Sequence, residues 1–252
     1  MTKTFKTGVD WLDKLLPEGL PLHTSTLLSG PGGTGKPLIG DNFVAAWLRM
    51  GGGVVFMSLQ YPTQEFVLES MESITGLDLK AYQEKVVFLS LDVGIEGLTE
   101  PEGNVIRANL VKPDIFTAAI EKACHMLSEQ DSEIMVFGSA LNLLLFSPTY
   151  SEAIKQKLEM LLQEDKRRTY IFSVSTTAKK EAIARLETLA DNLIMTRSEK
   201  KPFRLYMQIV RIKDVAFSNE EVPVPISPKA LLHVKEIADH SRMRIIPQVS
   251  KI

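Results

Sequence analysis

Short continuous apolar runs recur along the first three quarters of the chain, separated by longer stretches of mixed polarity. Apolar runs of this kind are typical of strands that are buried on both faces of a parallel sheet. The stretches between them carry apolar residues at helical spacing, such as Phe43, Trp47 and Leu48, and predict amphipathic helices. The strands predicted in this way are 24–30, 54–59, 85–91, 133–139 and 169–175.

Glycine and proline mark the ends of the predicted helices. A glycine run at 51–53 ends the first helix, Gly76 ends the second, and Asp114 caps the third after Pro113. Strands that alternate with helices predict an α/β fold around a central parallel sheet. The predicted helices are about 36–50, 63–75, 114–129, 151–165 and 179–190.

The last part of the chain follows a different pattern. Four apolar runs follow one another with short turns and no helix between them, which predicts antiparallel strands at one edge of the sheet. These runs are 192–196, 203–212, 222–226 and 230–234. The residues after Ile237 show no regular pattern and predict an irregular tail. We expect one domain over 1–252, with a core of about 4–235 and a C-terminal tail over 236–252.

The stretch 92–112 interrupts the alternation of strands and helices. It is rich in glycine and glutamate and has weak periodicity. Because a connection of this length is unusual in a compact domain, we expect it to be either functional or disordered.

Composition and charge narrow the classes of function. The 252 residues are 44% hydrophobic and 24% charged, which is ordinary for a globular protein. The net charge of −2 disfavours nucleic-acid binding, because domains that bind nucleic acid are usually basic. The single cysteine, Cys124, excludes an internal disulfide and fits a reducing compartment. We find no signal peptide and no membrane-spanning run, and therefore expect a cytoplasmic protein without membrane contacts.

The first predicted strand ends in GPGGTGKP at 30–37, which matches most of a phosphate-binding loop. That motif requires G-x-x-x-x-G-K followed by Ser or Thr. Its glycines let the backbone close around phosphate, and the N-terminus of the following helix adds positive potential. The alternative interpretation is a glycine-rich turn with a solvent-facing lysine. The candidate nucleotide-binding residues are Gly30, Gly32, Gly33, Thr34, Gly35, Lys36 and Pro37.

A longer stretch around this loop resembles the opening of the KaiC-like and RadA-like ATPases of the RecA superfamily. Further similarity comes from LETLADNLI at 186–194 and RIK at 211–213, so the resemblance covers about residues 4–235. It implies a RecA-like P-loop NTPase fold, ATP or ADP as ligand, and assembly as a homo-oligomer or with an intact KaiC-like relative. The residues before the loop that match the family pattern are Thr7, Gly8, Leu12, Asp13, Gly19 and Pro21.

Three sites depart from the family pattern, and all three concern metal-assisted hydrolysis. Pro37 stands where the family has a Ser or Thr whose hydroxyl binds Mg²⁺. Gly138 and Ser139 end a strand that the family ends in Asp-Ser, so the carboxylate that supports the metal is missing. Gln60 and Tyr61 stand where the family carries the glutamate that activates water. A glutamine can hold a water but cannot accept its proton as a carboxylate does.

Other residues could compensate for these losses. Asp41 and Asp92 are the acidic residues that could replace a metal ligand. Arg211 and Lys213 resemble the basic pair that KaiC-like rings present to the phosphates of a neighbouring subunit, although the family order is closer to Lys-x-Arg. Their spacing places both on one face of a strand. Charged residues that protect an edge strand are an equally good interpretation.

We therefore predict a degenerate KaiC-like protein that binds ATP or ADP, hydrolyses it slowly or not at all, and binds Mg²⁺ weakly or not at all. This interpretation assigns no catalytic residue and no metal ligand with confidence, and it implies a regulatory or assembly role. Two alternatives stay open: a slow ATPase in which Gln60 orients the water, and an interaction protein with an empty loop. DNA binding is disfavoured by the acidic balance of charge.

Overall fold

The computed structural model describes residues 2–128, 133–201 and 203–252. Within these ranges, nine strands form one sheet, and β1 (Thr4–Phe5) and β2 (Leu20–Pro21) form a separate two-stranded antiparallel sheet. The strands of the large sheet are β3 (Ser25–Gly30), β4 (Gly53–Met57), β5 (Val86–Leu91), β6 (Val105–Ala108), β7 (Ile134–Gly138), β8 (Thr169–Ser175), β9 (Asn192–Lys200), β10 (Phe203–Arg211) and β11 (Val222–Pro223).

The sheet is parallel over most of its width. Its strands lie in the order β11-β10-β9-β3-β8-β7-β4-β5-β6. Neighbours from β9 to β6 are parallel, whereas β10 is antiparallel to both β9 and β11. Every residue of β3 and β4 is buried, because helices cover both faces, and this explains their continuous apolar sequence. The predicted α/β fold, with antiparallel strands at the C-terminal edge, is confirmed.

The helices lie on both faces of the sheet and bury two apolar clusters. Alternate residues of a strand point to opposite faces, so Phe56 of β4 belongs to the first cluster and Val55 to the second. Helices α2, α3 and α7 supply the first cluster, and α4, α5, α6 and α8 the second. The helices are α1 (Asp10–Leu15), α2 (Lys36–Arg49), α3 (Gln64–Thr75), α4 (Pro113–Ser128), α5 (Ser151–Gln163), α6 (Lys180–Leu189), α7 (Pro228–His240) and α8 (Ile246–Val249).

Asp13, one of the residues that match the family pattern before the loop, fixes the turn that precedes α1. One oxygen of Asp13 accepts hydrogen bonds from the Thr7 amide at 2.9 Å and the Thr7 hydroxyl at 2.7 Å. The other oxygen accepts from the Gly8 amide at 3.0 Å. A carboxylate that accepts several bonds in this way fixes the backbone of a turn. In this protein the pattern therefore has a structural role, at a turn that precedes the phosphate loop in the chain.

Some element predictions at the C-terminal end of the chain are wrong. Residues 230–234, predicted as a strand, lie inside helix α7, and of the predicted strand 222–226 only Val222–Pro223 is extended. The long connection 92–112 contributes β6, which extends the sheet parallel to β5. The predicted end of the third helix at Glu129 lies outside the described residues.

The residues after Ile237 are helical rather than irregular. Helix α7 continues to His240, a π-helical turn follows over Ser241–Ile245, and α8 completes the segment. Pro247 lacks the amide hydrogen that an α-helix would direct to the carbonyl four residues earlier. The helical turn instead contains one extra residue, so that the Ile246 amide donates to the Ser241 carbonyl five residues earlier. The proline therefore explains the wide turn.

Candidate functional site

The glycine-rich loop joins β3 to α2 at the carboxyl edge of the sheet, where parallel α/β folds place their ligands. Gly30 has a φ of 149°, and a Cβ atom there would lie 2.2 Å from the Thr196 carbonyl oxygen. Gly33 and Gly35 have φ values of 75° and 74°, in the left-handed region that favours glycine. The glycines therefore allow both the bend of the loop and its close approach to β9.

The loop ends in the first turn of α2, whose amides have no partner within the helix. Gly35 is the N-cap residue, and its carbonyl oxygen accepts from the Leu38 amide at 2.9 Å. Pro37 is accommodated because a proline fits the first helical turn, where its missing hydrogen bond disrupts nothing. The loop thus keeps the positive potential of a helix N-terminus, while position 37 offers neither a hydroxyl nor an amide hydrogen.

The lysine of the loop is folded back over its backbone. Lys36 Nζ donates to the carbonyl oxygens of Gly30 at 2.8 Å and Pro31 at 2.7 Å, and to the Thr34 hydroxyl at 3.1 Å. Burial lowers the pKa of Lys36 to about 7, because the ammonium group loses its hydration there. The interpretation of a solvent-facing lysine is therefore wrong, since only 6% of Lys36 is exposed.

The ends of the neighbouring strands carry a polar network of neutral groups. Gln60, after β4, donates from Nε2 to the hydroxyl of Ser139, after β7. The Ser173 hydroxyl on β8 lies 3.5 Å from that of Ser139 and accepts from the Ala140 amide at 2.9 Å. The amide group of Gln60 is thus hydrogen-bonded within the chain, and Gln60 is buried with 8% exposure. None of the three side chains Gln60, Ser139 and Ser173 is a carboxylate, and the nearest carboxylate, that of Asp41, is reached only through Tyr61.

Side chains crowd Gly138 at the end of β7, where the resemblance leads one to expect an aspartate. A Cβ atom at Gly138 would lie 2.8 Å from both Leu141 Cδ2 and Met57 Cε, and 3.1 Å from Phe172 Cδ1. Contacts under 3.0 Å require the neighbouring side chains to shift, and a carboxylate would add further atoms. A larger residue at position 138 would therefore require the ends of Leu141 and Met57 to move.

The two acidic residues considered as replacements lie in other environments. Asp41, on α2, is fully buried with Tyr61, whose hydroxyl lies 3.4 Å from Asp41 Oδ1. Burial raises the pKa of Asp41 to about 8, against the opposing effect of the Tyr61 hydrogen bond. Asp92 pairs with Arg107 at 3.3 Å. Among the described residues, no three His, Cys, Asp or Glu side chains group as metal ligands.

Arg211 is the last residue of β10 and Lys213 follows the strand, so the two do not share a strand face, and both contact their own chain. Arg211 Nη2 donates to the carbonyl oxygens of Glu187 and Ala190, both at 2.7 Å, at the end of α6. A cation at a helix C-terminus satisfies carbonyls that have no other partner. Lys213 Nζ lies 3.1 Å from Asp191 Oδ1. Both side chains thus hold α6 against the sheet, and the inter-subunit role stays a prediction.

A pocket of about 470 Å³ opens beside the loop, within the usual size range of small-molecule sites. The loop residues 32–37 and Gln60 line one side, and apolar side chains such as Leu143 and Phe146 line another. A further wall comes from α7 and the residues after it, most of which were predicted as an irregular tail. That wall consists of Val234, Ile237, Ala238, Ser241, Arg242 and Ile246.

The fold and the loop together define a RecA-type P-loop domain. The family model described as "ATPase: KaiC" matches residues 5–239, and the chain therefore belongs to the KaiC family of ATPases. A KaiC-like protein of Pyrococcus horikoshii has a similar solved structure, with a TM-score of 0.70 at 19% identity, covering 90% of this chain and 97% of that one. At this level of identity, the structural match shows the fold alone.

Relatives in other organisms share about a quarter of their residues with the chain over part of its length. A UPF0273 protein of Pyrococcus horikoshii is 29% identical over 166 residues, which is 64% of this chain and 64% of that protein. A UPF0273 protein of Thermotoga maritima is 27% identical over 166 residues, 64% of this chain and 66% of the relative. The chain thus matches less than two thirds of the length of these relatives.

None of the helices within 2–128, 133–201 and 203–252 is both long enough and apolar enough to cross a bilayer.

Proposed function

We propose that this protein binds ATP or ADP at the loop 30–37 and hydrolyses it very slowly or not at all. The observation that carries the proposal is the contrast between two neighbouring strand ends. After β3 the glycine loop and helix N-terminus form a phosphate site, whereas β7 ends in Gly138, which supplies no carboxylate where the family has an aspartate. The protein then acts through the conformation or assembly that the nucleotide stabilises, with copies of itself or with an intact relative.

The binding half of the proposal rests on geometry and family. The loop has the left-handed glycines that turn backbone amides towards a phosphate. The pocket beside it has both a polar side and an apolar side, as a nucleotide requires. Membership of the KaiC family of ATPases supports a nucleotide as the ligand.

The second half concerns hydrolysis and Mg²⁺. Pro37 has no hydroxyl, Gly138 has no carboxylate, and Asp41 is neutral at pH 7 because its pKa is raised to about 8. Gln60 is bonded to Ser139 and has no group that could take a proton from water. These side chains support nucleotide binding without metal-assisted turnover.

Isothermal titration calorimetry with ATP tests the proposal directly. We expect ATP to bind in EDTA, and its Kd to change by less than about threefold when Mg²⁺ is added. With fewer metal ligands in the protein, Mg²⁺ binding and ATP binding should be only weakly coupled. Phosphate release should stay at the level of a blank. Fast, magnesium-dependent hydrolysis would contradict the proposal.

Pro37→Thr is the matched control for this experiment, because it restores one hydroxyl and one amide hydrogen at an unchanged loop. A hydrogen bond to a charged group contributes about 1.5–3 kcal/mol. The variant should therefore bind ATP about tenfold more tightly than the wild type when Mg²⁺ is present. Equal affinities in the two proteins would show that position 37 does not limit binding.

The pKa of Lys36 predicts that ATP binding depends on pH. The buried lysine has a pKa of about 7 and is mostly neutral at pH 8 to 9, whereas phosphate binding requires the ammonium form. Binding above pH 7 must therefore take up a proton, and the affinity should fall by up to about tenfold per pH unit between pH 7 and 9. Calorimetry in buffers of different ionisation enthalpy measures the proton uptake. A constant affinity across this range would show that the lysine is already charged.

A further inference from the structure

We infer that Arg242, on the C-terminal segment, binds the phosphates of the nucleotide and supplies positive charge that Mg²⁺ provides in an intact site. The inference rests on the proposed nucleotide binding and adds to it a residue outside the matched family region 5–239. It also gives the C-terminal segment 241–252 a role in the site.

The C-terminal segment crosses the carboxyl edge of the sheet directly beside the loop. Helix α7 packs on α2 and α3, and Ile237 belongs to the apolar cluster on the first face. Ile245 and Val249 belong to the cluster on the second face, where α8 packs on 141–146. The π-helical turn that joins them must therefore pass from one face to the other, and it does so along the pocket.

Local contacts hold this turn in place. His240 Nδ1 lies 3.1 Å from the carbonyl oxygen of Gln60, and the Ser241 hydroxyl donates to the Ile237 carbonyl at 3.0 Å. Both Ser241 and Arg242 line the same pocket as the loop. Wide helical turns of this kind occur frequently at functional sites. The anchored neighbours fix the backbone of Arg242 while its side chain extends from the wall.

The charges around the pocket favour a polyanion. Among the described residues that line it, the cations are Lys36 and Arg242, and there is no Asp or Glu. Lys36 is already hydrogen-bonded to the loop carbonyls of Gly30 and Pro31, so part of its charge is compensated. Lys36 therefore offsets only part of the charge of a nucleotide tail, and Arg242 is the other cation among these residues that can offset the rest.

Arg242 is free to reach a ligand. Its side chain is 74% exposed, and its ion pair with Asp239 has a separation of 3.9 Å, which is weak for an exposed pair. A guanidinium group offers planar, paired donors that match phosphate oxygens, and this geometry distinguishes it from lysine. Exchange of the weak Asp239 contact for a phosphate contact is therefore favourable.

The test measures ATP affinity in EDTA for the full chain and for Arg242→Ala. Loss of a charge-assisted contact costs about 1.5–3 kcal/mol, so we expect Kd to rise at least about tenfold. Arg244→Ala is the matched control, since it removes an equal charge from an exposed residue of the same turn that does not line the pocket. Its affinity should equal that of the wild type. Arg242→Lys should recover only part of the loss.

Titration with tripolyphosphate separates a phosphate contact from a contact to the base. Arg242→Ala should weaken tripolyphosphate binding by the same factor as ATP binding. The inference is overturned if Arg242→Ala binds ATP like the wild type, if Arg244→Ala loses as much affinity, or if only ATP and not tripolyphosphate is affected. If the wild type binds neither ligand, the proposed nucleotide binding itself is wrong, which is a different result.

Discussion

Replacing Lys36 with methionine is expected to weaken ATP binding by roughly 10- to 150-fold, which corresponds to the loss of about 1.5–3 kcal/mol for a hydrogen bond to a charged group. Methionine keeps most of the length and volume of the lysine chain but removes the charge. The effect should be large because Lys36 is one of two cations among the described residues that line the pocket. Calorimetry in EDTA at pH 7 measures it.

The affinity of Lys36→Met for ATP should also lose the pH dependence that the titration of Lys36 gives to the wild type. Lys180→Met is the matched control, because Lys180 is an exposed lysine at the start of α6 that does not line this pocket. That control should bind ATP like the wild type. If Lys36→Met retains wild-type affinity, the loop does not hold the phosphates, and the interpretation of an empty loop gains support.

Asp41→Asn is expected to stabilise the protein by about 2–4 kcal/mol at pH 8. Asp41 is fully buried in the first apolar cluster beside Tyr61, and burial raises its pKa to about 8. The folded protein must either keep this carboxyl protonated or bury a charge, whereas the unfolded chain ionises it freely. Asparagine keeps an acceptor for the Tyr61 hydroxyl and cannot ionise, so the penalty disappears.

The sign of the pH dependence follows from the raised pKa. The contribution of Asp41 to stability is fully present below about pH 4, where both states are protonated, and is lost as the pH rises to about 8. Urea unfolding at several pH values should therefore show a smaller decline in the free energy of unfolding for Asp41→Asn than for the wild type over this range. Asp10→Asn, at an exposed aspartate of α1, should leave the decline unchanged. Parallel curves for wild type and Asp41→Asn would mean that Asp41 is charged in the folded protein.

The sheet could be predicted from the sequence because its central strands are buried on both faces. The strand predicted at 169–175 coincides with β8, Thr169–Ser175, and Gly76 ends α3 as expected. The type of element at the short, mostly apolar run 230–234 was ambiguous, because a run of about five such residues can belong to a strand or to a buried helix. Ser227, which caps α7, and Pro228 in its first turn were the local features that distinguish the two for 230–234.

The site could be predicted only in part, for a physical reason. The loop is local in sequence, and its glycines follow from the backbone that a phosphate loop requires. The crowding at Gly138 involves Met57 and Phe172, which are distant in the sequence, together with the nearby Leu141. The contribution of Arg242 depends on the path of the C-terminal segment across the sheet. Packing of distant segments decides both features, and no local pattern encodes it.

The role of Asp13 bears on how relatives of this chain are recognised. Its carboxylate accepts hydrogen bonds from Thr7 and Gly8 and so fixes the turn before α1. This part of the family pattern therefore stabilises the fold and does not take part in chemistry. The scaffold signature and the side chains needed for turnover can therefore diverge independently. The signature therefore identifies the scaffold, and the residues at positions 60 and 138 have to be read separately in each sequence.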